Sequence, residues 1–409
     1  LVGGLLALAG ALTLAELGAS MPKAGGLYVY IREAYGPLAG FLFGWVLFIV
    51  YQTAAIAALG VAFAEYLGHF FPALSTKSML FSTTFTLFNF DIPLSVSIGQ
   101  LVGIMLIISL STVNYFGVVY GKLIQNIFTI IKISTLVLII FFGLTIGSKT
   151  SVDFNINPTG LSFGQLITGF GLALIAASWA YNGWNYFTFV AEEVKDPNRN
   201  IPRSLLFATG SLIILYLLTN YIYLLALPIN EMSGVIPIAK KASVVLFGRT
   251  AASLISVAVI ISTFGAMNGT ILSGARVFYA MAKDKLFFKK AGEVHPRFLT
   301  PGFAIIIQGI WACLYTLMGS LEQLFTFAMF VTLMFWIVAT ASVFTLRKKY
   351  PDLPRPYKTW GYPVVPLVFI LASSGILLNT LFEKPVESLA GVGLTILGIP
   401  VYYFWKRKK

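Results

Sequence analysis

Apolar stretches of about 20 residues, the length that crosses a hydrocarbon core, recur from one end of this chain to the other. In lipid every backbone N–H and C=O must be paired within the protein, so such a chain folds as helices. Of its 409 residues, 58% are hydrophobic and 11% charged, whereas a soluble domain carries about 25% charged residues. No polar segment is long enough to build a soluble domain. The sequence therefore specifies an all-α polytopic membrane protein, with residues 1–409 as one transmembrane unit in the lipid bilayer.

Hydropathy places eleven spans, at about 1–20, 38–71, 94–115, 123–146, 166–190, 205–227, 251–280, 302–318, 323–346, 364–382 and 389–405. The second is too long for one upright crossing and must tilt or run past the surface. Residues 76–93 are moderately apolar but rich in Ser and Thr, and read as an external loop. With the C-terminal Lys-Arg-Lys-Lys tail in the cytoplasm, the inner loops and tail hold 20 Lys and Arg. The outer loops hold 6: Lys77, Lys149, Lys240, Lys241, Arg249 and Lys384. Lys132 and Arg276 fall within spans. That bias fixes the orientation, C-terminus inside. It also accounts for the net charge of +13, so no nucleic-acid partner is expected.

Eleven spans and an inner tail put Leu1 outside. The opening LVGGLLALAGALTLAELG lacks the basic flank of a signal peptide, and the chain does not begin with Met. The expectation is a twelve-span parent whose first helix precedes Leu1. Cys313 is the single cysteine, which excludes an internal disulfide and a cysteine-based metal cluster. His69 and His295 are far apart in sequence, which argues against a zinc site. There is no P-loop, GxSxG, HExxH or dinucleotide fingerprint. The chain reads as a non-enzyme without a cofactor, and as no primary pump.

The octet Ser178-Trp179-Ala180-Tyr181-Asn182-Gly183-Trp184-Asn185 interrupts the span 166–190. Non-helical backbone at membrane depth survives where it lines a cavity, and secondary transporters use such breaks to hold substrate near the midplane. A zwitterion fits this chemistry. Unwound carbonyls accept from an ammonium group, and a half-helix N-terminus attracts a carboxylate. The alternative is an intact helix whose asparagines bond across to neighbouring helices.

The octet and the following FVAEEVKDPNRNIPRSL (189–205) resemble the sixth helix and next loop of the amino acid–polyamine–organocation superfamily, most closely its L-type amino acid transporter branch. Three further stretches are similar to that family: AELGASMPKAGGLYVYIREAYGPLAGFLFGW (15–45), FGAMNGTILSGARVFYAMAKDKLF (264–287) and YPDLPRPYKTWGYPVVP (350–366). They resemble helix two with its loop, helix eight, and the loop before helix eleven. GGLYVYIREAYG and HPRFLTP look most like bacterial serine/threonine or alanine-serine-cysteine exchangers. The resemblance covers essentially the whole chain. It implies a LeuT-like five-plus-five inverted repeat, with the eleven spans as helices two to twelve. The family's unwound first helix, which carries the other half of the substrate site, has no counterpart here; a chain beginning at Leu1 is expected not to transport.

The resemblance also implies roles. Trp179 is the aromatic gate over the substrate, and the carbonyls of Trp179 and Asn182 accept from its ammonium group. Ala180 lies between them. Gly183 lets the backbone leave helical geometry, and Asn185 bonds to substrate or to neighbouring helices. Lys132 lies well inside the span 123–146, and an ionisable residue there is a functional candidate. It matches the helix-five lysine of the L-type branch, which implies that its ammonium replaces the cation of sodium-coupled relatives. Arg276 reads as snorkelling or paired with an acidic loop residue, and Glu16 and Glu65 as structural. Glu192, Glu193, Lys195, Asp196, Arg199 and Arg203 read as a solvated mixed-charge loop rather than an inner gate. Tyr51 reads as core packing. Asn268 and Ser262 are weaker site candidates.

The expected function is sodium-independent exchange of small neutral L-amino acids by alternating access. A passive channel and a non-transporting membrane sensor are the alternatives. The external loop between the family's helices three and four, about 72–93, has no cysteine. No disulfide-linked heavy subunit is therefore expected, and the expected location is a bacterial plasma membrane.

Overall fold

The computed structural model describes residues 1–87, 90–145, 160, 162–232, 238–317 and 321–407, with side chains outside 84–94, 118–120, 230 and 321–327. Lys149, Lys408 and Lys409 of the charge count lie outside the described residues. Ten of the described helices are long and apolar enough to cross a membrane. They are α1 (Val2–Ser20), α3 (Pro37–Leu67), α4 (Ile98–Tyr115), α5 (Val118–Thr145), α6 (Phe163–Ala180), α7 (Pro197–Ala226), α9 (Arg249–Lys283), α11 (Leu321–Lys349), α12 (Val364–Glu383) and α13 (Pro385–Arg407). An eleventh, α10 (Gly302–Leu317), is apolar but only 16 residues long. Two shorter helices, α2 (Leu27–Tyr35) and α8 (Ile238–Phe247), lie between spans.

The eleven expected spans all correspond to helices, with three differences in detail. First, α7 starts at Pro197 rather than near residue 205. Proline is preorganised for the first helical position, so part of the mixed-charge loop is helical. Second, residues 76–93 are not a plain loop. Strands β1 (Met79–Leu87) and β2 (Phe90–Ser97) pair antiparallel, with Phe81 opposite Val96 and Ser82 opposite Ser95. The threonines that made the stretch a poor span, and the phenylalanines among them, are strand formers. Third, α9 has 35 residues. It is about 52 Å long at 1.5 Å per residue, against about 30 Å of hydrocarbon, so it tilts or projects.

The first three spans each pack against the span five places later: α1 on α7, α3 on α9, and α4 on α10. This is the pairing that a five-plus-five repeat produces, and the fold is the LeuT-like one. One end of the bundle carries α2, the loop after α9 and the C-terminal tail, where Lys and Arg concentrate. It is called the basic face below.

A buried carboxylate fastens that face. Glu16, near the end of α1, is 1% exposed. Its Oε1 accepts from Arg347 Nε at 2.8 Å and its Oε2 from Arg347 Nη2 at 2.6 Å. The backbone N–H of Thr359 donates to Oε2 at 2.6 Å, and Arg355 Nε lies 3.6 Å from Oε1. Arg347 also sits 3.6 Å over the ring centroid of Tyr362. Arg355 in turn donates to the carbonyls of Tyr350 and Pro351 just past α11, at 2.7 and 2.9 Å, where helices leave acceptors unsatisfied. The stretch 350–366 thus folds around one carboxylate. Glu16→Ala leaves the Arg347 guanidinium without its acceptor and is expected to destabilise the protein by about 3 kcal/mol. Thermal unfolding in detergent measures this, and a midpoint equal to wild type refutes it.

Candidate functional site

The span 166–190 is broken where the octet lies. Helix α6 ends at Ala180, residues 181–185 form successive turns, and a 3-10 helix runs Tyr186–Glu193. Gly183 has φ +104, a conformation that a side chain strongly disfavours. The polar groups freed by the break find specific partners. Asn182 N–H donates to Trp179 O at 2.9 Å, and Tyr186 N–H to Gly183 O at 3.0 Å. Thr188 Oγ1 donates to Asn185 O at 2.7 Å. The hydroxyl of Tyr216, on α7, donates to Ala180 O at 3.0 Å.

A cavity of about 430 Å³ adjoins the break. Trp179, Ala180 and Asn182 line one wall and Lys132 and Thr135 of α5 another. Tyr216 of α7 and Ser262 and Ala266 of α9 complete it, and Ala239, Ala242 and Ser243 of α8 lie toward the end opposite the basic face. Of the residues singled out from the sequence, Lys132, Trp179, Ala180 and Asn182 thus share one cavity, and the weaker candidate Ser262 lines it too. Gly183 and Asn185 do not line it. Asn185 is buried on the far side of the break, beside a small void shared with Tyr51, Thr332 and Trp336, and its Oδ1 has no hydrogen-bond partner. Lys132 is half-buried, and among the described residues it makes no salt bridge.

Tyr51 belongs with these residues, although the sequence offered no signal beyond its place in a span. It closes a π-helical stretch, Leu47–Tyr51, inside α3. Such bulges recur at functional sites because they re-aim side chains. Its hydroxyl donates to Asn182 Oδ1 and accepts from Tyr186 at 3.1 Å. Below it the rings of Tyr186 and Phe189 stack at 5.4 Å, and Phe43 meets Phe189 at 6.4 Å and Phe335 at 5.6 Å. Phe43, Phe189 and Phe335 are buried. This aromatic column runs from Asn182, at the cavity wall, to Phe189, whose carbonyl meets Gly25 at the basic face.

Polar ties close the basic end. Arg276 Nε donates to Glu193 Oε1 at 2.8 Å, joining α9 to the 3-10 segment. Glu192 accepts from Ala24 N–H at 3.3 Å, and Gly25 N–H donates to Phe189 O at 3.0 Å. Gly26, at φ +44, brings its backbone against Thr188, where a Cβ would lie 2.7 Å from Thr188 O. Asp284, just after α9, accepts from Tyr28 OH at 2.6 Å and from Arg32. Burial, then the Asp284 hydrogen bond, pushes the Tyr28 phenol well above its usual value, so it remains a donor. Burial opposes the Arg32 charge, but Glu33 and Asp284 outweigh it and hold the guanidinium above its usual value. The Glu192–Arg203 stretch is therefore partly tied into the fold rather than wholly solvated.

The remaining candidates have structural settings. Glu65 accepts from Thr76. Asn268 is buried, accepting from Asn114 at 2.8 Å and donating to Gly121 O at 3.0 Å. Among the described residues no group of three or more His, Cys, Asp or Glu could hold a metal. Tyr51→Phe strands the Asn182 and Tyr186 side chains and is expected to cost about 1–3 kcal/mol. A double-mutant cycle of Tyr51→Phe with Asn182→Ala, read as unfolding midpoints, must show non-additivity; strictly additive losses overturn the pairing.

Comparison with known proteins places this geometry in context. A family model described as amino acid permease matches residues 1–403. The serine/threonine exchanger of Bacillus subtilis (strain 168) is 35% identical over 418 aligned positions, covering 100% of this chain and 88% of that protein. Human large neutral amino acids transporter small subunit 2 is 30% identical, covering 100% of this chain and 74% of its own. Human b(0,+)-type amino acid transporter 1 is 30% identical, covering 98% and 78%. These relatives are transporters, not enzymes. The chain belongs to the amino acid permease family of the amino acid–polyamine–organocation superfamily, in its L-type branch.

Proposed function

We propose that this protein exchanges small neutral L-amino acids across a bacterial plasma membrane by alternating access, without sodium, with its C-terminus in the cytoplasm. The observation that carries the reading is the interrupted helix at Ala180 beside a cavity whose opposite wall holds Lys132. The names of the relatives, a serine/threonine exchanger and amino acid transporters, support amino acid exchange. The amino acid sits against Trp179, Ala180 and Asn182. Trp179 closes over it and limits its size, while Gly183 and Asn185 hold the break open from the far side. The Lys132 ammonium supplies the positive charge that a bound cation gives in sodium-coupled relatives of this fold. The cavity approaches the end opposite the basic face, and the aromatic column with its polar ties blocks the other way. A disulfide-linked subunit is not part of the proposal, because Cys313 lies within α10.

Counterflow of labelled serine in proteoliposomes tests the function with the full-length protein. An exchanger accumulates label only when amino acid is present inside. A channel takes it up without internal substrate, and a sensor does neither. Lys132→Ala is expected to slow exchange by at least about tenfold, the loss of roughly 1.4 kcal/mol in the rate-limiting step, while detergent extraction and unfolding midpoint stay unchanged. Wild-type exchange in that variant removes Lys132 from the mechanism. Sodium replaced by choline must leave wild-type exchange intact.

A further inference from the structure

We propose that the membrane-facing cleft between α4 and α10 is a binding site for one anionic phospholipid. The cleft has a volume of about 540 Å³ and is lined by apolar side chains, among them Ile104, Ile108, Ile310 and Leu314. Ile108, Ile310 and Leu314 are exposed. Both walls are transmembrane helices, so hydrocarbon is what they face. From Ile104 to Tyr115 the cleft runs about 16 Å along α4 at 1.5 Å per residue, which matches the roughly 15 Å of one leaflet of a 30 Å core. An acyl chain therefore fits it end to end, with its headgroup at the basic face.

The mouth, rather than the floor, carries the polar features that a phospholipid requires. Ser109 and Thr112 on α4 donate back to the carbonyls of Met105 and Ile108, at 2.7 and 2.8 Å. Ser111, which lines the cleft, has a buried hydroxyl without a hydrogen-bond partner. It faces the Gly309 backbone across the floor of the cleft. At the mouth, Phe116 and Phe298 meet at 5.1 Å, and His295 stacks on Phe298 at 4.4 Å. Aromatic rings at this level are typical of the membrane interface. His295 Nδ1 accepts from the backbone of Arg297 and Phe298, at 3.2 and 3.3 Å, which directs Nε2–H away as a donor. Arg297 is exposed, lies 5.5 Å from the Phe298 ring centroid, and makes no salt bridge among the described residues. Leu299 is 70% exposed at φ +55, presented outward.

Charge complementarity selects the headgroup. The segment 283–297 carries Lys283, Lys285, Lys289, Lys290 and Arg297 against Asp284 and Glu293. Asp284 is already engaged by Arg32 and Tyr28, which leaves a positive excess in the loop whose His295–Phe298 end forms the mouth.

Native mass spectrometry of the detergent-purified full-length protein, mixed with equimolar phosphatidylglycerol and phosphatidylcholine, tests the proposal. Each basic group near a headgroup is worth about 1 kcal/mol, roughly a fivefold preference, so wild type is expected to retain phosphatidylglycerol at least fivefold over phosphatidylcholine. Arg297→Gln should bring that ratio down about fivefold while total bound lipid is unchanged. Ile310→Trp, which fills the cleft from its exposed side, should lose both lipids with an unchanged unfolding midpoint. Water-soluble glycerol phosphate at the same concentration should not displace the lipid. Equal retention of the two lipids by wild type, wild-type retention in Ile310→Trp, or displacement by glycerol phosphate overturns the proposal. Because no readout involves transport, its failure leaves the exchanger assignment standing.

Discussion

A peptide group that meets hydrocarbon without a hydrogen-bond partner is several kcal/mol unfavourable, and residues 181–185 break a helix in the middle of a span. The surrounding structure is arranged to meet that demand. Turns recapture the Trp179 and Gly183 carbonyls, and Tyr216 reaches across from α7 to the Ala180 carbonyl. On the other side the π-helical stretch of α3 aims Tyr51 at the Asn182 side chain. Gly183 supplies the one backbone geometry that lets the chain turn there. The break is thus held by its own turns and from two other spans, α7 and α3, and it is a fixed part of the fold rather than a defect in a helix.

Much of this was legible in the sequence, for identifiable reasons. Spans are set by local hydropathy, and local signals need no tertiary knowledge; hence the agreement over α1, α3 and α12. The octet was legible because Asn-Gly-Trp-Asn conflicts with lipid wherever it falls. The hairpin at 79–97 was not, because a Ser/Thr-rich apolar stretch carries no turn signal strong enough to separate a strand pair from a loop. Tyr51 and Tyr216 were missed for a different reason. Tyrosine is unremarkable in a span, and only the packing of α3 and α7 on the break gives these two hydroxyls their acceptors. Asn182, through its carbonyl, and Asn185, toward substrate or neighbouring helices, both read as site residues, but a chain that turns at Gly183 sends them to opposite sides. Glu16 illustrates the reverse case: its structural role was expected, while its partners lie more than 330 residues away and no local pattern names them.

The ties at the basic face are of unequal strength, and the inequality bears on how such a molecule could alternate. The Glu16–Arg347 pair has a carboxylate 1% exposed, two short hydrogen bonds and a third from backbone. Breaking it would leave charge buried, which opposes its opening. The ties across the foot of the cavity differ. The Arg32 and Asp284 side chains are 20% and 30% exposed, and a pair of that kind is worth about 0.2–1 kcal/mol because water screens and replaces it. Arg276 is 5% exposed against 44% for Glu193, but its guanidinium also donates to Leu272 O at 2.7 Å and keeps that acceptor when Glu193 leaves. These ties join α9 to the 3-10 segment and to α2, which are the elements that must part if the cavity is to open toward the basic face. The aromatic column above them is held by contact rather than by buried charge. A substrate shifts a two-state equilibrium only by its differential affinity for the two states, and couplings of about 1–3 kcal/mol are typical. A few half-exposed ties fall within that range, whereas another buried carboxylate like Glu16 would not. The distribution of burial along this face therefore separates the joints that can open under a small ligand from the one that cannot.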